Sequence, residues 1–180
     1  METRLLGPVA LLQAFLPLIR EARGRVLWIA TPGLLPIPYV SSIHACDFAV
    51  NCIARTLALE LLPWGIPSIL IRCGGIQRDP REAGRESEET ASAQRTERAG
   101  LYTQTLAEEE AQMEQFDRSR TGKEEVAAVV YKALSATRPK RRYRVGHLSG
   151  LSAVMELLPQ TLVDALMARR WSIVGTRPSR

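Results

Sequence analysis

His44, Cys46 and Asp47 crowd one short stretch, directly behind Ser41 and Ser42. A serine or cysteine beside a histidine and a carboxylate is the material of nucleophilic catalysis, and the same side chains can ligate a metal. The spacing argues against both. Positions i, i+2 and i+3 of a helix do not share one face, and the serines lack the strand-turn-helix setting of a nucleophile elbow. A helix start, with Asp47 favoured by the helix dipole, accounts for the cluster. Glu108, Glu109 and Glu110 read as a solvated helix face. Gly146 and Gly150 lie too late in the chain for a phosphate-binding loop, and that spacing is read as chance. The three cysteines (Cys46, Cys52, Cys73) and two histidines (His44, His147) form no CxxC or HxxxH pair, so no metal is expected and the thiols are read as reduced. Lys140, Arg141, Arg142 and Arg144 make a basic cluster around the single aromatic Tyr143. Without further aromatics to stack bases, no nucleic acid partner is expected.

The elements that must position these residues alternate in type. Leu5 to Ile19 is an apolar run long enough for the core of a signal peptide, but Gln13, Pro8 and Pro17 interrupt it and charges follow at once. A buried helix starting near Pro8 is the preferred reading. Arg25–Ala30 reads as a buried strand and Leu34–Tyr39 as a proline-rich loop. From Ser41 or Ser42 a helix runs to about Leu62, with Ala45, Phe48, Ala49, Cys52, Ile53, Leu57 and Leu61 as its apolar stripe. Pro63-Trp64-Gly65 stops it, and Pro67–Arg72 is a second buried strand.

Residues 77–122 are polar: a loop over Asp79–Ser92, then a helix over Arg95–Phe116. Thr121 to Glu124 resembles a capping box ahead of a helix over Glu125–Ala136. Tyr143–Val145 is a short strand. Leu151–Trp171 is an amphipathic helix or a pair broken near Pro159, and a short tail follows. The fold class is therefore α/β, with parallel strands between helices. The 180 residues fit one domain: 1–76 as a helix-strand-helix-strand core, 77–122 as a variable region, 123–171 as the last strand with its helices, and 172–180 as a tail. The net charge of +5 is uneven, because residues 138–180 hold nine basic and two acidic groups. That stretch is read as a solvated basic tail.

Gly7 to Ile19, the Gly24-Arg25-Val26 strand entry, Phe48-Ala49-Val50, and Leu57 through Ile66 resemble successive helices and strands of the short-chain dehydrogenase/reductases. Pro139–Gly146 and Leu157–Asp164 are similar to the tail of that family's retinol and steroid dehydrogenase branch. The resemblance implies a partial Rossmann-like, doubly wound parallel sheet holding the last three family strands. It also implies that the first four strands are absent here, with one sheet edge and parts of both faces left uncovered.

The family's reaction implies four side chains. A tyrosine moves the proton, a lysine four residues later lowers its pKa and holds the cofactor ribose, a serine positions the carbonyl, and an asparagine organises the relay. On this alignment the tyrosine position is Ile43, the lysine position Asp47, the serine position Thr31 and the asparagine position Arg4. Isoleucine has no proton to give, and a carboxylate raises a neighbouring phenol's pKa rather than lowering it. Tyr39 is read as a surface or packing residue. Of the family's cofactor-side turn after the second strand only Gly74 is kept.

The expectation is a chain with a degenerate site, no cofactor of its own, and a structural or regulatory role through protein contacts. Helices 8–23 and 42–62 would join it to a second copy or another protein. The alternative is a piece of an NAD- or NADP-dependent oxidoreductase of lipophilic alcohols or ketones. A weaker alternative is a membrane-surface protein held through residues 151–171. The expected location is intracellular, cytoplasmic first.

Overall fold

The structure, a computed structural model, describes residues 1–31, 41–77 and 119–170. The Leu34–Tyr39 loop, the Asp79–Ser92 loop, the Arg95–Phe116 helix, Tyr39, the Glu108–Glu110 run and the tail lie outside them. A π-helical turn over Glu2–Leu6 leads into α1 (Gly7–Glu21), with Pro8 in its first turn. Strand β1 is Val26–Ala30, α2 is Ser41–Glu60, and a 3₁₀ turn over Leu62–Trp64 leads to β2 (Ser68–Cys73). After the undescribed stretch come α3 (Lys123–Ser135), β3 (Arg142–Val145), α4 (Ser149–Met155) and α5 (Gln160–Arg170).

The three strands pair in the order β1-β2-β3, all parallel, with Trp28 opposite Leu70 and Arg72 opposite Arg144. Parallel pairing forces each helix to carry the chain back along the sheet. The chain therefore enters every strand at one end of the sheet and leaves at the other, so α1, α2 and α3 all end where the strands begin. Period-2 alternation sorts the side chains. Val26, Trp28, Ala30 and Leu70 face α1 and α2, where Val50, Ala54, Leu57 and Leu61 close one core. Ile69 and Ile71, both fully buried, face α3 and meet Ala133 and Val145 in a second. Trp28 donates its indole N–H to Ser68 Oγ at 3.2 Å, and Ser68 in turn donates to the Ala54 carbonyl at 3.0 Å.

Three local expectations are corrected. First, α1 is not a buried helix. Leu5, Val9, Leu12, Leu16 and Ile19 only half-bury against the core, and Leu11, Phe15 and Leu18 stay exposed. The helical stretch Glu2–Glu21 is also long and apolar enough to cross a membrane. Second, the stripe of α2 is rotated from the expected one. The buried positions are Cys46, Asp47, Val50, Ala54, Leu57 and Ala58, while Phe48 and Cys52 are exposed. The face against the sheet mixes the small Ala54 and Ala58 with Val50 and Leu57. Third, no capping box forms at α3, where Gly122 occupies the N-cap without a side-chain bond. Thr121 is held by its backbone instead: its N–H donates to Gly75 and its carbonyl accepts from Gln77.

The turn that ends α2 is as expected. Gly65 closes it with φ of +66°, a backbone that only glycine adopts without strain. Gly146 is required for the same reason, with φ of +91°. A side chain there would also meet Ile76 and the backbone of Gly74.

Candidate functional site

In an open parallel sheet, ligands bind beyond the carboxyl ends of the strands. Here that end holds Thr31 after β1, Asp47 in the second turn of α2, and Cys73-Gly74 closing β2. The Thr31 hydroxyl donates to Asp47 Oδ2 at 2.5 Å. Asn51, one turn further along α2, donates to the Asp47 carbonyl at 2.7 Å and to the Thr31 carbonyl at 3.3 Å. Asp47 is only 7% exposed, so its carboxylate needs the Thr31 hydroxyl. The side chains that follow the last β1 residue and the start of α2 are thus fixed to one another.

The structure brings two of the four relay positions together, Thr31 and Asp47. Ile43 sits one turn before Asp47, 38% exposed. Arg4 lies exposed in the turn ahead of α1. His44 is half-buried and Cys46 buried, and among the described residues no three histidine, cysteine or acidic side chains gather to hold a metal. Gly74 has a packing reason of its own, since a Cβ there would lie 2.0 Å from the His147 carbonyl. Its space is filled by this chain's backbone. Beside it, burial pushes the Cys73 thiol above the ordinary thiol range.

Sequence reasoning missed a buried ion pair at this end. Arg72, 2% exposed, forks onto Glu156 just past α4, with Nη1 to Oε2 at 2.8 Å and Nη2 to Oε1. The signal was present, because an arginine closing an otherwise apolar strand demands a counter-charge. Asn51 was missed too; its role depends on two backbone carbonyls that spacing does not reveal.

No family model matches the chain. It is 33% identical over 150 residues to the 17-beta-hydroxysteroid dehydrogenase type 1 of Homo sapiens, an alignment covering 79% of this chain and 44% of that protein. Over 75 residues it is 35% identical to the human 11-beta-hydroxysteroid dehydrogenase type 2, covering 41% of this chain and 18% of that one. In structure it overlays a short-chain dehydrogenase from Streptomyces avermitilis with a TM-score of 0.61 at 21% identity, over 97% of this chain and 60% of the other. This chain belongs to the short-chain dehydrogenase/reductase family. It spans less than half the length of the curated relatives it matches.

Short-chain dehydrogenase/reductases take a nicotinamide cofactor. On the alignment expected from the sequence, the family pattern puts a cation at position 47 and a phenol at position 43, where Asp47 and Ile43 stand. Asp47 presents a carboxylate already engaged by Thr31, and Gly74 faces its own chain. On that alignment these residues do not fit the family's use of the cofactor.

Proposed function

We propose that this chain is a catalytically degenerate short-chain dehydrogenase/reductase whose role is structural or regulatory and is exercised through protein contacts. The observation that carries the reading is the 2.5 Å Thr31–Asp47 hydrogen bond with Ile43 one turn away. The hydroxyl that the family pattern would turn toward a substrate carbonyl is spent on a carboxylate. That carboxylate stands where a cation would have lowered a phenol's pKa, and the phenol is replaced by a hydrocarbon. General acid catalysis needs a group that can surrender a proton within hydrogen-bond reach of the reacting oxygen. Neither Ile43 nor a carboxylate bound to Thr31 meets that need.

The contact surfaces in this reading are the outer faces of α1 and α2. Leu11, Phe15 and Leu18 on α1 and Phe48 and Leu59 on α2 are exposed large apolar side chains. Two such helices from two copies would bury them as a four-helix arrangement. Sedimentation velocity across a range of concentrations tests it. A dimer in the native chain and a monomer in Phe15→Glu/Phe48→Glu support the reading; a native monomer at all concentrations contradicts it.

A second reading is favoured by the names of the relatives, both hydroxysteroid dehydrogenases. In it the chain is part of an NAD- or NADP-dependent oxidoreductase acting on a lipophilic alcohol or ketone. Fluorescence titration with NADH and with NADPH separates the two readings. The degenerate reading expects no saturable binding to this chain, and saturable binding with steroid turnover establishes the second.

A further inference from the structure

The strand-entry end of the sheet, opposite the site described above, collects positive charge from two distant parts of the sequence. Arg20, Arg23 and Arg25 lie between the last turn of α1 and β1, and Lys132 lies in the last turn of α3. Arg138, Lys140 and Arg141 lead into β3 beside them, and Arg142 is its first residue. Glu21 and Glu60 are the acidic groups in the segments that meet here. Three helices also end at this side, each contributing about half a negative charge. Eight cations against two carboxylates and three helix ends leave a surplus of about four to five positive charges. Part of the set has structural work. Arg25 Nη1 donates to the Ala133 carbonyl at 2.9 Å, and Arg20 stacks 4.2 Å over the Trp64 ring. Arg23, Lys132, Arg138, Lys140, Arg141 and Arg142 are exposed.

Between these cations protrudes the turn Leu62-Pro63-Trp64-Gly65, with Leu62 and Trp64 exposed, the latter at 47%. A cleft of about 200 Å³ runs from Leu62 and Gly65 to Pro139, Lys140 and Arg141. On the other side of the turn, Pro17, Arg20, Glu21 and Trp64 frame a second opening. Both charged segments therefore flank the same apolar turn.

We infer that this end of the molecule docks on an anionic phospholipid membrane, with the Leu62–Trp64 turn entering the headgroup layer and the surrounding arginines and lysines meeting lipid phosphates. A leucine, a proline and a tryptophan projecting together suit the membrane interface, where the amphipathic indole is favoured. A single-stranded nucleic acid would instead call for several aromatics interleaved with the cations, and Trp64 is the exposed aromatic of this turn. The cations add attraction at a negative leaflet and need no specific headgroup. The inference is independent of whether the chain is catalytically degenerate.

The test is co-sedimentation of the full chain with vesicles of phosphatidylcholine alone and of phosphatidylcholine mixed with phosphatidylserine. Binding to the mixed vesicles only, released by high salt, is expected. Each cation is worth roughly fivefold in binding, so R138Q/K140Q/R141Q together weaken it on the order of a hundredfold. R4Q/K123Q, which removes exposed charge elsewhere, leaves it within about twofold on the same scale. Brominated lipid quenches tryptophan fluorescence in the native chain, and Trp64→Phe removes most of that quenching without touching a charge. Failure to bind mixed vesicles overturns the inference. So does unchanged quenching in Trp64→Phe, or displacement from vesicles by inorganic phosphate at equal phosphate concentration, which marks a free-anion site. Stronger binding to single-stranded RNA reassigns the face and also overturns it. Binding that survives the triple neutralisation but is lost in Leu157→Asp moves the contact to α4 and α5, and likewise overturns the inference.

Discussion

Arg72 and Arg141 stand at opposite ends of neighbouring strands, and the fold treats them in opposite ways. Arg72 lies next to last in β2 at the carboxyl end, is buried, and is matched by Glu156. Arg141 precedes β3 at the amino end, is exposed, and lines a cleft. The same contrast runs through their surroundings. At the carboxyl end Thr31 answers Asp47, Asn51 answers two carbonyls, and Gly74 answers the His147 backbone. At the amino end exposed cations surround an apolar turn. In this family the carboxyl end is where ligands are met. Among the described residues of that end the polar side chains are engaged by the chain itself, and exposed surplus charge lies at the other end.

The sharpest way to break this contrast is to remove one partner at each end. Glu156→Gln leaves Arg72 buried without its carboxylate and should destabilise the chain by about 3 kcal/mol. Arg141→Gln should change stability by less than about 0.5 kcal/mol. Urea unfolding of the two variants measures both, and equal effects would erase the distinction. Next in size is Gly146→Ala, which forces a side chain into positive-φ backbone against Ile76. A loss of about 2 kcal/mol is expected, read from the same unfolding curves. Thr31→Val removes the donor to a buried carboxylate and should destabilise by about 1–2 kcal/mol. Thr31→Ser, which keeps the hydroxyl, should recover most of that loss.

The smallest effect expected is a pH dependence at Cys73. Burial favours its neutral thiol, so its folded pKa lies above the unfolded one. The stability this contributes is present below the ordinary thiol range and is lost as pH rises through the raised value. Unfolding curves from neutral to alkaline pH should fall less steeply in Cys73→Ala than in the native chain. Identical slopes would remove the assignment.

Much of this architecture is legible in the sequence. Short apolar runs bounded by glycine and proline marked β1 and β2, whereas β3 carries the exposed Arg142 and Arg144 and was marked by Tyr143 and Val145 alone. The break near Pro159 separated α4 from α5. The buried face of α2 was not legible, because that helix carries two apolar stripes. Large residues such as Phe48 mark the stripe that stays outside, whereas Ala54 and Ala58 mark the one against the sheet. Of the expected stripe only Leu57 and Leu61 are buried, at the end of the helix where the two faces converge. Asp47 on the inner face is intelligible only once Thr31 is placed beside it. The relay positions came from family resemblance, and the structure joined two of them. The charged amino end could not be seen, because residues 20–25 and 138–142 lie far apart in the chain. Read linearly, the second group looked like part of a solvated tail.

On the proposed reading, positions 31, 43 and 47 hold no working proton relay. The decisive experiment follows NADH- and NADPH-linked interconversion of a steroid alcohol and ketone by the purified chain, beside Thr31→Val and Ile43→Tyr/Asp47→Lys. No turnover above the protein-free rate is expected from the native chain. Turnover by the native chain that Thr31→Val abolishes would overthrow that reading and make Thr31 a catalytic residue.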